Sequence, residues 1–270
     1  MSWARIMAPL AGGAGDEQVL AAAAAVAAPF DAELAAVHAP ADVADLMPWM
    51  GEGFMGGVQI TALDSLKEAA AEGARAAQAA VAACGYARTR LVSLETPVWA
   101  GLSMEGRLSD VVVFTDEAAR GRGPLAEAFQ QTVADEQRPV IVARPGLTAG
   151  GVVAVAWDGG KEASRAARTA LPLLEKASRV VILCAPSASS RNFDGGRLQA
   201  FFADRGVTAE VEVITESGDA AQLLLGACKR LGAGLLVAGA FGHPRLQEYI
   251  FGGTTRTLLN NDGPSLFLSH

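Results

Sequence analysis

Short apolar runs of five to nine residues alternate along this chain with longer stretches of helical periodicity. In the C-terminal part the apolar runs are Val152–Trp157, Arg179–Ala185, Thr208–Glu216, Leu235–Gly239 and Ser265–Ser269. Between them lie helical patterns at Lys161–Lys176, Asn192–Arg205, Asp219–Leu231 and Thr254–Asn260. Runs of this length, rich in Val, Ile and Leu, predict strands, and those that are continuously apolar predict burial on both faces. Strands alternating with helices predict βαβ units and a parallel sheet with right-handed crossovers.

The N-terminal part repeats the plan. The stretch from Ala4, "ARIMAPLAGGAGDEQVLAAAAAVAAPFDAELAAVHAP", parallels the one from Gly151, "GVVAVAWDGGKEASRAARTALPLLEKASRVVILCAP". Gly12-Gly13 falls opposite Gly159-Gly160, and Pro40 opposite Pro186. Further on, Ser109–Asp116 matches Ala233–Ala240, and Arg138–Arg144 matches Gly263–Ser269. The first copy is longer by about 22 residues, which fits an insert at 41–62, just after its second strand. The predicted class is α/β, with two tandem doubly wound parallel five-stranded sheets. The domains are expected at 1–146 and 150–270, joined by "PGLTAGG".

Composition narrows the function. Of 270 residues 51% are hydrophobic and 19% charged, which suits a folded core. A net charge of -7 without a basic block argues against a nucleic-acid surface. The alanine-rich run Val19–Phe30 is shorter than the ~20 residues of a membrane span, and no signal-peptide pattern opens the chain. Three scattered cysteines, Cys84, Cys184 and Cys228, read as buried thiols of a cytoplasmic protein. The three histidines are equally scattered, so no metal site is expected. His38 reads as a core residue, and no serine, histidine and acid suggest a triad. No catalytic residue is nominated.

Ligands of a doubly wound sheet bind beyond the carboxyl ends of its strands, where strand order reverses. Two strand ends of the second copy carry suitable residues, "AWDGG" after its first strand and "GAFG" after its fourth. If those strands are neighbours, both tips face one crevice. After the fourth strand Gly239, Gly242, Gly252, Gly253, Thr254 and Thr255 precede a short helix. Glycines let backbone approach a ligand, and the helix N-terminus favours an anion. Arg245 or Arg256 could approach a phosphate there from the side. The run lacks the Gly-Lys-Ser/Thr of a Walker loop.

The spacing G-x2-G-x9-G, at this place in a βαβ unit, resembles the ATP-binding motif of the universal stress protein family. "VAWDGG" looks like that family's first strand with its acidic residue, and Ser217–Gly242 like its passage from third to fourth strand. The resemblance covers the second copy strongly and the first weakly. It implies a stress-response protein that holds ATP, with Mg²⁺ possible beside it, as a regulatory ligand in the C-terminal domain. Ala156, Trp157, Asp158 and Ala185 would line adenine and ribose. Gly239, Phe241 and Gly242 would contact ribose and the inner phosphates, and Gly252, Gly253, Thr254 and Thr255 the outer ones. Gly253 stands where the family has a hydroxyl residue. In the first copy Ala11, Thr115, Ala118 and Ala128 stand opposite Asp158, Gly239, Gly242 and Gly252, so no nucleotide is expected there.

The resemblance also implies that the last strands of the two copies meet in an intrachain pseudo-dimer; a homodimer of whole chains is a further expectation. An alternative is a module of the same fold without nucleotide, working through its dimer surface and the Met-rich insert "MPWMGEGFMGG" toward a protein partner. Slow ATP hydrolysis is a further alternative.

Overall fold

The computed structural model describes residues 2–38, 56–94, 98–185, 194–240 and 253–270. Of the expected insert, 41–55 lies outside these residues, and 56–62 opens a long helix. The strands are β1 (Arg5–Leu10), β2 (Glu33–His38), β3 (Thr89–Ser93), β4 (Val111–Thr115), β5 (Val140–Ala143), β6 (Val152–Ala156), β7 (Arg179–Cys184), β8 (Ala209–Val213), β9 (Leu235–Gly239) and β10 (Ser265–Ser269). The helices of the first half are α1 (Asp16–Ala27), α2 (Gly56–Ala83), α3 (Val98–Arg107), α4 (Asp116–Ala119) and α5 (Ala126–Ala134). Those of the second are α6 (Lys161–Thr169), α7 (Leu171–Leu174), α8 (Gly195–Ala203), α9 (Ala220–Leu231) and α10 (Gly253–Asn260). None is long and apolar enough to cross a membrane among the described residues.

All ten strands form one sheet in the order β3-β2-β1-β4-β5-β10-β9-β6-β7-β8. Each half is parallel and doubly wound, with the same internal order. The halves join where β5 and β10 pair antiparallel, Val142 opposite Leu266 and Val140 opposite Leu268. The last strands of the two copies therefore meet, as the resemblance implies.

Strand alternation feeds two apolar layers. Val153, Val155 and Phe267 face the layer of α1, α2, α6 and α8. Ala154, Leu266 and Leu268 face that of α3, α5, α9 and α10. Where both faces are covered, a strand tolerates few polar residues, which is why the inner strands read as continuous apolar runs while the edge strands β3 and β8 carry polar residues. Trp3 stacks on Phe267 at 6.2 Å and so ties the N-terminus to the other half. The edge strand β8 carries Glu210 and Glu212 in ion pairs with Arg179 and Arg230, charges that discourage strand addition.

The expected helix Lys161–Lys176 is broken at Ala170. Pro172 has no N–H to continue the ladder, and α7 restarts as Leu173 and Leu174 donate to the Ala170 carbonyl. Asp219 caps α9, its carboxylate accepting from the Gln222 amide at 3.0 Å.

Candidate functional site

β6 and β9 lie side by side, Val153 opposite Leu235 and Val155 opposite Val237. The chain runs outward from β6 through β7 to β8, then returns to the other side as β9. Strand order thus reverses between β6 and β9, and their tips open on one crevice, where such sheets bind ligands.

On the β6 side alternation carries Trp157 into the layer of α6 and α8, while Ala156 packs in the opposite layer with Ala185. The Trp157 amide donates to the Leu183 carbonyl at 2.9 Å and extends the β6–β7 ladder by a residue. Its indole N–H is buried and has no hydrogen-bond partner among the described residues. Asp158 is exposed, and its carboxylate accepts from the Gly160 amide at 2.8 Å, closing a tight turn over the start of α6. Gly159 in that turn has φ +70°.

On the β9 side Gly239 touches the first turn of α6. A Cβ there would lie 2.5 Å from the Ala163 nitrogen and 2.6 Å from the Glu162 carbonyl carbon. The missing side chain of Gly239 thus lets α6 rest on β9. Beyond the undescribed stretch, α10 begins at Gly253, where a Cβ would meet nothing within 4 Å. Thr254 is exposed at the start of that helix, whereas Thr255 is buried. Phe241, Gly242, Gly252, His243 and Arg245 lie outside the described residues.

Side chains without a motif complete the site. Glu162 is buried above Gly239, its carboxylate 3.3 Å from the Lys161 ammonium. Burial holds the imidazole of His270 below its ordinary pKa, and the nearby Glu162 charge opposes that shift. Beside Trp157 a cleft of about 500 Å³ opens between α6 and α8. Trp157, Leu198 and Phe201 give it apolar walls, and Arg168 and Arg197 supply cations. The guanidinium of Arg205 stacks 3.7 Å from the Phe201 ring centre. Glu162, Arg168 and Arg197 were not singled out from sequence. They sit on α6 and α8, and only helix packing brings them to the strand tips.

The same place in the first half is filled. Asp16, at the start of α1, is 2% exposed. Its carboxylate accepts from the amides of Ala11 and Gly12 at 2.9 Å and of Gly13 at 3.2 Å. Successive amides turned to one point form an anion-binding concavity, and here the chain supplies the anion itself. α2 covers this turn: Gly12 has φ +75°, and a Cβ on it would be 2.5 Å from the Gly73 Cα. His38 is buried at the tip of β2, under Gly73. Burial lowers its pKa, and the charge of Asp16 partly offsets this. Thr115, opposite Gly239, caps α4 by accepting from the Ala118 amide at 3.3 Å. Among the described residues no three His, Cys, Asp or Glu side chains converge as a metal site.

No protein-family model matches the sequence, and no curated protein does. Solved structures do. A universal stress protein from Archaeoglobus fulgidus DSM 4304 superposes with a TM-score of 0.70 at 15% identity, over 98% of this chain and 95% of that one. A functionally unknown protein from Pseudomonas aeruginosa PAO1 gives a TM-score of 0.56 at 14% identity, over 99% and 92%. A putative universal stress protein from Pseudomonas aeruginosa UCBPP-PA14 gives 0.54 at 16% identity, over 99% and 93%. At such identities the likeness speaks for architecture, and the matches run nearly end to end on both sides. This chain therefore has the fold of the universal stress proteins, with two units carried in one polypeptide.

Proposed function

We propose that this chain is a stress-response protein of the universal stress type that binds an adenine nucleotide, ATP, in its second half as a regulatory ligand. The units run over 1–146 and 150–270, and the first is structural. The observation that carries this reading is the meeting of the Trp157–Asp158 turn and Gly239 at the switch point, with α10 beginning beyond it. Asp158 is exposed there and suits ribose hydroxyls; Ala156, Trp157 and Ala185 bound the base. The first-turn amides of α10 at Gly253, Thr254 and Thr255 suit phosphate, and Mg²⁺ would arrive with the phosphates. The open space beside Gly253 is compatible with a phosphate lying close to the backbone. Phe241, Gly242 and Gly252 complete the set by resemblance. In the first half the turn after β1, the counterpart of the Asp158 turn, is already closed by Asp16 on three amides. The protein acts in the cytoplasm, as a monomer or a homodimer.

A second reading is an interaction module of the same fold that holds no nucleotide and engages a protein partner. Gly239 favours it, because packing against α6 accounts for that glycine without any ligand. The test is direct. Freshly purified protein is denatured, and the released ligand is identified by ultraviolet spectrum and mass; Mg·ATP is then titrated into the stripped protein by calorimetry. Release of adenine nucleotide, or saturable Mg·ATP binding that is lost in Gly252→Trp, supports the nucleotide reading. No released nucleotide and no heat of binding overturn it in favour of the module. Phosphate release during the titration identifies slow hydrolysis.

A further inference from the structure

The C-terminus of α10 is held by the other half of the molecule. A helix leaves its last four carbonyls without intrahelical partners. In α10 these belong to Thr257, Leu258, Leu259 and Asn260. Asn261 answers the first, donating to the Thr257 carbonyl from its amide at 3.1 Å and its side chain at 2.8 Å. The other three are met by arginines of the first half. Arg144, just past β5, donates from Nη2 to the Leu258 carbonyl at 3.0 Å and the Leu259 carbonyl at 3.1 Å. Arg120, just past α4, donates from Nη1 to the Asn260 carbonyl at 3.2 Å.

Both guanidiniums are themselves fixed. Arg144 is 4% exposed along its side chain, and its Nη1 reaches the Pro264 carbonyl at 3.1 Å. Its Nε donates to Asp116 at 2.7 Å, and the other oxygen of Asp116 accepts from Arg120 at 2.5 Å. Arg120 also reaches Asp262 at 3.0 Å. The Arg144 amide donates to the Ser265 hydroxyl at 3.0 Å, which locks the clamp to the start of β10. Two cations at a helix C-terminus also suit its dipole.

The origin of these residues matters. Asp116 and Arg120 follow β4, in the stretch that in the second half follows β9 and carries the glycine motif. The arrangement is not reciprocal, because Ser269 stands opposite Arg144. The C-terminus of α5 is instead closed locally, by the Asp135 and Glu136 amides on Gln131 and the Arg138 amide on Thr132.

We propose that Arg144, with Asp116 and Arg120, is a brace by which the first half fixes the position of α10 and hence of the N-terminus that α10 presents at the crevice. The first half lacks the glycine motif; its corresponding stretch supplies Asp116 and Arg120, which with Arg144 after β5 hold the helix of the other half. The consequence for ligand binding rests on the nucleotide reading; the brace itself does not.

The test uses the full chain with Arg144→Met, Arg144→Lys and the milder Arg120→Gln. Hydrogen exchange on nucleotide-free protein is followed by mass spectrometry over residues 253–260, with α9 as internal control. Arg144→Met is expected to exchange at least tenfold faster across α10 with α9 unchanged. Arg144→Lys is expected to recover only part of the protection, because an ammonium supplies the charge without the fork. Equal exchange across α10 in folded Arg144→Met and wild type overturns the brace. Should Arg144→Met not fold, Arg120→Gln decides by the same measurement, with a smaller acceleration expected.

Calorimetry with Mg·ATP then separates positioning from mere stability. Arg144→Met is expected to bind at least fivefold more weakly at a temperature where it is fully folded. Equal affinity overturns the positioning role. If the wild type takes up no Mg·ATP, the nucleotide reading fails, and exchange across α10 alone upholds or overturns the brace.

Discussion

Replacing Gly239 by alanine tests whether this glycine serves packing. A Cβ at that position would lie 2.5 Å from the Ala163 nitrogen, 2.6 Å from the Glu162 carbonyl carbon and 2.7 Å from the Glu162 Cβ. Two of these atoms are backbone in the first turn of α6, so no side-chain rotation relieves the contact. Ordinary carbon contacts sit at about 3.5–4.0 Å, so α6 would have to retreat from β9 by roughly 1 Å. Overpacking of this kind costs about 1–3 kcal/mol, and a backbone contact belongs at the upper end. At about 2–4 °C per kcal/mol for a chain of this size, the melting temperature falls by roughly 5–10 °C. Gly253→Ala is the control. Its Cβ enters open space, and alanine in a helix is favoured over glycine by about 0.5–1 kcal/mol, so that variant melts at or slightly above wild type. Differential scanning calorimetry of the three proteins side by side is the assay. A Gly239→Ala melting temperature within about 1 °C of wild type would refute the packing account. The glycine would then be explained by a ligand or not at all.

Asp16→Ala removes the charged acceptor of three part-buried amides, and hydrogen bonds to charged groups contribute about 1.5–3 kcal/mol, so urea denaturation should show a loss of about that size; a loss below about 0.5 kcal/mol would contradict the filled-nest account. Burial lowers the pKa of His38 despite the charge of Asp16, so its charged form is disfavoured in the fold. The stability it contributes is complete above 6.5 and is lost as pH falls from there toward the folded value; NMR should find His38 half-protonated below 6.5. Glu136 behaves as a depressed carboxylate: hydrogen bonds from Arg107 and then Ser103 hold it at about 2. Its contribution is present above the ordinary value of 4.5 and lost as pH falls toward 2, and Glu136→Gln should flatten the acid limb of the stability curve by that much. Burial pushes the Cys228 thiol up to about 12, so a thiol reagent at pH 8 should leave it unmodified in folded protein and label it in urea; native-state labelling would contradict its burial.

What the sequence determined by itself is the local and repeated part of the structure. Burial on both faces of the sheet makes β6, β7, β9 and β10 nearly continuous apolar runs, and the edge strand β8 alternates instead, so element order and class were legible from hydrophobic pattern alone. Duplication of that pattern showed two units, and the strand ends at Asp158 and Gly239 stood out as neighbours of a switch point. The break of the expected helix at Ala170 was missed: Pro172 is the residue that signals it, but the longer periodicity hid it. What only the tertiary structure decided depends on residues far apart in the chain. Asp16 closes on amides that belong to its own turn, yet it becomes a plug only because α2 lies over Gly12 through Gly73. Gly239 touches a helix more than 70 residues earlier, so the spacing that suggests a phosphate contact is equally the spacing of a packing contact. Arg144 and Arg120 have no motif at all. Their work on the carbonyls of α10 exists because β5 and β10 pair antiparallel and carry the end of one half across the other. Periodicity reports which face of an element is buried; which partner covers it, and which charges then meet, is set by the packing of the two halves.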